Sequence, residues 1–194
     1  GLHAVLAMLG AYIGSVAFTG SIVAFLKLQG IMKKTFRLPA QNAGNVIHSL
    51  VTLAVGVAIV VWGPQPWLLV VFFALALFLG FARTAPIGGA DMPVVISLLN
   101  AFTGLAVGLE GYVLDNPALI IAGIVVGASG TLLTQLMAKA MNRPLSNVLF
   151  SPITGEVQAG GAIEGTMKEV SAMDAAAMMR YSESVIIIPG YGMA

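Results

Sequence analysis

The sequence predicts an all-α membrane protein, a polytopic bundle of about five transmembrane helices. Hydrophobic residues make up 58% of the 194-residue chain and charged residues only 9%, whereas soluble domains carry about 25% charged residues. Long apolar runs recur along the chain, and most basic residues cluster between them. The net charge of +1 provides no basic surface for a nucleic acid. The absence of cysteine excludes disulfides and thiolate metal sites.

Five apolar segments reach or approach the length of a membrane crossing, because a hydrocarbon core of about 30 Å requires about 20 residues of helix. The third segment is the shortest. Aromatic residues at segment ends, Trp62, Trp67 and Tyr112, suit a membrane interface. The predicted segments are residues 5–26, 45–62, 67–83, 92–113 and 118–141.

The connections between these segments differ in charge. Residues 63–66, the second connection, have no charge, and residues 115–117, the fourth, have no basic side chain. Because loops rich in lysine and arginine stay in the cytoplasm, we expect an external N-terminus and a cytoplasmic C-terminus. The basic residues at the other connections and after the last segment are Lys27, Lys33, Lys34, Arg37, Arg83, Lys139 and Arg143.

Glycine pairs at GxxxG spacing occur in the first, fourth and fifth segments. Small residues at this spacing let helix backbones approach closely in lipid, so the pairs predict tight helix packing. A second interpretation is that these helices shift against each other during turnover. The pairs are Gly10 and Gly14, Gly104 and Gly108, and Gly123 and Gly127.

The composition changes after the fifth segment. Residues 144–170 are rich in glycine, serine, threonine and proline, which predicts an aqueous linker. Ser171 and Asp174 resemble a capping box and predict a short amphipathic helix that ends near Tyr181. Residues 185–188 are apolar and β-branched and predict a buried strand.

Gly190, Tyr191 and Gly192 follow that strand. A glycine-rich turn between a strand and a helix can cradle a pyrophosphate, so these residues are candidate nucleotide contacts. The last position of the pattern would lie beyond Ala194. The chain also begins at Gly1 without a methionine, and we therefore expect it to be a fragment.

Asp91 is the first candidate for chemistry in the membrane. It directly precedes the apolar fourth segment, and an ionisable residue at such a place is costly enough to predict a function. The alternative is a helix cap. Asp91 stands before Met92 and Pro93, and a carboxylate there can accept otherwise unpaired amide hydrogens.

Asn100 lies nine residues further, about 13 Å along an ideal helix and on the face opposite Asp91. It shares a face with Ser97 and Thr103, and such a face can hold water between helices. The alternative is an interhelical hydrogen bond. His48 lies one turn inside the second segment, where it can relay protons or simply bond to a neighbouring helix.

Taken together, these stretches resemble the membrane-spanning beta subunit of the proton-translocating NAD(P) transhydrogenases. The strings IGGADMPV at residues 87–94 and PGYGMA at residues 189–194 are highly specific. The matches follow the family's order over nearly the whole chain. They cover residues 14–21, 24–30, 87–94, 99–100, 139–143 and 184–194.

The resemblance implies an enzyme complex that moves hydride between NADH and NADP⁺ while protons cross the membrane. It implies a transmembrane domain at residues 1–143, a cytosolic linker at 144–170 and, at 171–194, the truncated start of a Rossmann-like α/β domain for NADP(H). NAD(H) would bind a domain of the partner alpha subunit. The resemblance further implies a dimer of protomers in the lipid bilayer of a bacterial inner membrane.

The resemblance also assigns roles to individual residues. Asp91 and Asn100 fall on family positions linked to proton translocation and coupling. Lys139 and Arg143 fall in the hinge before the NADP(H) domain. Gly190 and Gly192, with Tyr191 between them, fall in the first nucleotide turn of that domain.

Two departures limit what can be transferred. The family's intramembrane histidine lies on a helix upstream of the matched region, so its role does not pass to His48. The remainder of the NADP(H) domain is missing, so we expect this fragment to bind neither nucleotide tightly and to transfer no hydride.

The rival class is a small ion or proton transporter, or a non-catalytic assembly subunit. A completed Rossmann domain encoded beyond Ala194 would favour the enzyme.

Overall fold

The computed structural model describes residues 1–32, 41–142, 144–150 and 170–186. Within these ranges the chain is helical and has no strand. Five long helices are apolar enough to cross a membrane, as the sequence predicts. They are α1 (Leu2–Leu28), α2 (Gln41–Trp62), α3 (Pro66–Thr84), α4 (Met92–Val113) and α5 (Pro117–Ala140). A 3₁₀ turn (Gly89–Asp91) precedes α4, and two short helices follow α5, namely α6 (Leu145–Phe150) and α7 (Ala172–Arg180).

Local sequence signals set the helix ends. Asn116 caps α5, because its side-chain oxygen accepts the amide hydrogens of Ala118 (3.1 Å) and Leu119 (3.3 Å). At the end of α1, Gly30 adopts a φ of 70°, a left-handed conformation that glycine adopts at low cost. The Ile31 amide can then donate to the Leu26 carbonyl (3.0 Å) and complete a Schellman motif.

The chain divides into two compact units, residues 1–155 and 156–194. In the first, α4 packs against α5 and α1, α1 also packs against α3, and α3 packs against α2. The end of α1, the start of α2 and the α3–α4 connection lie at one end of this bundle. We call it the basic end, because it carries Lys27 and Arg83. The outward faces of α2 and α5 expose apolar side chains, as expected of lipid-facing helices. Examples are Ile47, Val57, Ile121 and Ile124.

The predicted close packing at the glycine pairs is confirmed for α4 and α5. A Cβ atom built on Gly104 would lie 2.6 Å from the backbone nitrogen of Gly127, and one on Gly108 would lie 3.6 Å from Gly123 Cα. The two backbones therefore touch without intervening side chains. On α1, the corresponding positions face α4, where Gly10 meets the Glu110 side chain.

In the second unit, the helix cap that the sequence predicts at Ser171 is confirmed. Ser171 Oγ accepts the Asp174 amide hydrogen (3.2 Å) at the start of α7, which ends one residue before Tyr181. Val185 and Ile186 are irregular, and the rest of the predicted strand lies outside the described residues. The Rossmann-like domain therefore stays a prediction.

Replacing Gly123 with alanine tests the α4–α5 contact. The added Cβ would collide with the backbone of Gly108, and overpacking of this kind costs about 1–3 kcal/mol. We expect Gly123→Ala to lower the Tm of the detergent-solubilised protein. Gly44→Ala is the matched control, because no atom lies within 4 Å of its added Cβ. Equal Tm values for the two variants would contradict the packing.

Candidate functional site

The α3–α4 connection, residues 85–91, is a short segment at the basic end that finishes with the 3₁₀ turn. Its backbone turns twice, since the Ile87 amide donates to the Thr84 carbonyl (3.1 Å) and the Asp91 amide donates to the Gly88 carbonyl (3.1 Å). Ala85, Ile87 and Asp91 are 2%, 3% and 1% exposed. The start of the segment and Asp91 therefore lie in the protein interior, whereas Gly89 and Ala90 between them are exposed.

Asp91 occupies the N-cap position of α4, but its side chain does not cap the helix. Its φ of −88° and ψ of −8° are helix-like, whereas a capping residue is typically extended. The reason is the 3₁₀ turn, which runs directly into α4. The interpretation of Asp91 as a side-chain cap is therefore wrong, and capping does not explain why a carboxyl group is buried here.

The residues beside Asp91 belong to one apolar cluster. Ile87, Met92 and Val95 pack in it together with Val148 of α6, which is 1% exposed. The sequence predicts an aqueous linker from residue 144, yet the first helix of that segment inserts a side chain into the membrane bundle. The other buried members of the cluster are Ala17, Ala24, Val94, Leu99 and Ala138.

Lys27, in the last turn of α1, binds the backbone of the α3–α4 connection. Its ammonium group donates hydrogen bonds to the carbonyl oxygens of Ala85 and Ile87, the second at 2.6 Å. From the sequence alone, Lys27 counts only among the basic residues that predict the orientation of the chain in the membrane. Its position in the last turn of α1, at the same end as the connection before Asp91, is the signal that points to this contact.

Asn100 and Ser97 face different surroundings. Ser97 is buried and accepts a hydrogen bond from Thr134 of α5 (2.9 Å), so the interhelical bond considered for Asn100 is made by Ser97 instead. Asn100 lies exposed on the bundle surface, as does Thr103. Thr103 bonds within its own helix, to the Leu99 carbonyl (2.9 Å). The burial of Asp91 and exposure of Asn100 agree with the predicted opposite faces.

His48 bonds to a neighbouring helix, as one of the two interpretations predicts. Its Nε2 lies 2.9 Å from the carbonyl oxygen of Leu75 in α3 and can donate to it. The imidazole ring also packs beside Phe78, with ring centroids 5.4 Å apart. These contacts account for a polar residue in α2, and a relay role stays a prediction.

Several predicted site residues lie outside the described part of the chain. Lys139 is described and exposed in the last turn of α5, and Asn142 follows with a φ of 52°. The hinge therefore begins with a tight turn between α5 and α6. The predicted residues outside the described ranges are Arg143, Gly190, Tyr191 and Gly192, together with the loop residues Lys33, Lys34 and Arg37.

Comparison with known proteins identifies the family. The sequence model described as NAD(P) transhydrogenase beta subunit matches residues 1–194, the whole chain. The chain belongs to this family. It is 44% identical over 194 residues to the NAD(P) transhydrogenase subunit beta of Rhodospirillum rubrum, and it has the same identity to the sequence from strain ATCC 11170. The alignment covers 96% of this chain and 41% of that relative, so the chain spans about two fifths of the relative's length.

The family confirms the resemblance drawn from the sequence, and with the five apolar helices it makes this beta-subunit chain an integral membrane protein. Among the described residues, no cluster of histidine, aspartate or glutamate can hold a metal ion. Asp91 is the one carboxyl group that the described residues bury. This burial makes Asp91 the candidate for chemistry at the basic end of the bundle.

The Ser97–Thr134 bond yields a second stability test. We expect Ser97→Ala and Thr134→Val each to destabilise the solubilised protein by roughly 0.6–1.7 kcal/mol, the range of hydrogen bonds between membrane helices. The double variant should cost less than the sum of the single variants, because both remove one bond. Thr131→Val is the control, since Thr131 bonds only to Gly127 of its own helix. Additive losses, measured by thermal unfolding, would contradict the assignment.

Proposed function

We propose that this chain is the membrane part of a proton-translocating NAD(P)⁺ transhydrogenase, which couples proton passage across the membrane to hydride transfer between NADH and NADP⁺. Membership of the beta-subunit family supports this function. The observation that carries it is the buried carboxyl group of Asp91, whose chain neighbour Met92 packs in the same apolar core as Val148 in the first helix of the linker.

The hydride reaction needs two nucleotide sites that this chain does not complete. NADP(H) would bind the remainder of the beta subunit, with Gly190, Tyr191 and Gly192 in its first phosphate-binding turn. NAD(H) would bind an alpha subunit. Bound together, the two nucleotides supply the hydride donor and acceptor. The complex would be a dimer of protomers in a bacterial inner membrane, with the C-terminus of this chain in the cytoplasm.

Proton passage, in this proposal, uses the side of the bundle that bears Asn100. Lipid cannot satisfy the hydrogen-bonding groups of an amide, so an exposed asparagine in the middle of α4 requires water or another polar partner. The polar surface of Asn100 therefore supports a hydrated path at this face. The proton then reaches Asp91 at the basic end of α4, which we place on the cytoplasmic side.

Asp91 passes the signal to the linker through packing. Its neighbours Ile87 and Met92 share a core cluster with Val148, and Val148 follows the hinge between Lys139 and Arg143. A change of charge at Asp91 shifts its connection, and the displaced cluster shifts α6. The hinge then alters the affinity of the downstream domain for NADP(H). This is allosteric coupling, which requires two states that differ in affinity for the proton and for the nucleotide.

The test uses the complete complex in sealed proteoliposomes, with hydride transfer and internal pH followed together. We expect Asp91→Asn to reduce both rates by roughly a hundredfold, the typical contribution of a proton-transferring group, and Asn100→Ala to reduce both in parallel. Thr131→Val, on the exposed face of α5, should leave both rates unchanged. Wild-type rates in folded Asp91→Asn and Asn100→Ala complexes would refute the proposed path.

A further inference from the structure

Lys27 acts on the backbone of the α3–α4 connection. The two carbonyl oxygens that it binds belong to Ala85, directly after α3, and to Ile87. Carbonyl groups after the last turn of a helix have no partner within that helix, and the negative end of the helix dipole favours a cation there. An ammonium group with three donors suits this position.

The two carbonyl groups lie between α3 and Asp91, so the contact with Lys27 affects the position of Asp91. Ile87 lies four residues before Asp91, and the intervening segment is fixed by the bond from the Asp91 amide to the Gly88 carbonyl. Ile87 is also a member of the core cluster that contains Val148. Lys27 therefore binds a part of the connection that bears on the positions of both Asp91 and α6.

We propose that Lys27 is a positioning residue for coupling: it clamps the α3–α4 connection to α1, so that a change in the protonation of Asp91 is transmitted to the linker rather than lost in local movement of the connection. Lys27 carries no proton in this scheme. Its role is exerted through the carbonyl groups of Ala85 and Ile87. This inference rests on the proposed function.

Thiol labelling measures the clamp directly, because this chain has no native cysteine and the labelling of one introduced cysteine can be followed on its own peptide by mass spectrometry. Ala85→Cys places a reporter at a position of the connection that is only 2% exposed, so the thiol reacts only when the connection opens. In the complete complex we expect Lys27→Met to raise the labelling rate of this cysteine roughly tenfold or more, the effect of losing one hydrogen bond from a charged group on a local opening equilibrium. Lys27→Arg keeps the charge and the donors, and should restore slow labelling.

Coupling is measured in the same variants, without the reporter, as protons moved per hydride transferred in sealed proteoliposomes. Lys27→Met should lower this ratio while hydride transfer continues, and Lys27→Arg should restore it. A general loss of structure would instead lower proton movement and hydride transfer together, and would leave their ratio unchanged. If Lys27→Met does not accumulate in the membrane, Lys27→Gln, which keeps a donor without the charge, replaces it in both measurements.

Wild-type labelling and a wild-type proton-to-hydride ratio in Lys27→Met, or in Lys27→Gln where it replaces it, would overturn the inference. The outcome for Asp91→Asn separates this failure from that of the proposed function. If Asp91→Asn abolishes coupled turnover and the Lys27 variant behaves as wild type, only the positioning role fails. If Asp91→Asn also behaves as wild type, the proposed function itself fails.

Discussion

Residues 85–87 of the α3–α4 connection, together with Asp91, lie in the protein interior, and their polar groups must find partners within the protein. Lipid supplies none, and each unsatisfied backbone group would cost several kcal/mol. Two turn bonds, at Ile87 and Asp91, and the ammonium group of Lys27 supply partners here. These bonds fix the connection in one conformation. Asp91 is consequently buried in a defined place, with apolar residues on both sides of it in the chain.

A change of charge on a buried carboxyl group can drive coupling only if it displaces another part of the protein. The apolar cluster provides that link, because Ile87 and Met92 pack in the same core as Val148. The linker therefore starts inside the membrane bundle, and the turn between α5 and α6 joins two packed helices. Close packing transmits displacement, whereas a solvated linker would dissipate it. In the proposed transhydrogenase, this geometry converts the protonation state of one side chain into a force on the hinge.

The sequence alone predicts the five membrane helices, because long apolar runs and their flanking charges report directly on the bilayer. The helix cap at Ser171 and the glycine contacts of α4 and α5 are also predictable, since each depends on spacing within one or two helices. Three features depend on tertiary contacts and escape such reasoning. The sequence does not show that Asp91 continues a 3₁₀ turn instead of capping α4, that Lys27 binds carbonyl groups of another connection, or that Val148 is buried. Family resemblance points to Asp91 and Asn100, but only the packing relates Asp91 to the linker.

If the packed cluster couples the α3–α4 connection to the linker, truncating Val148 should weaken that coupling. The measurement is the number of protons moved per hydride by the complete complex in sealed vesicles, for Val148→Ala and for Leu149→Ala. Leu149 loses more volume on truncation but is 38% exposed, whereas Val148 is 1% exposed. We expect Val148→Ala to lower the ratio and Leu149→Ala to leave it at the wild-type value. A wild-type ratio in a folded Val148→Ala complex would show that the cluster does not couple the connection to the linker.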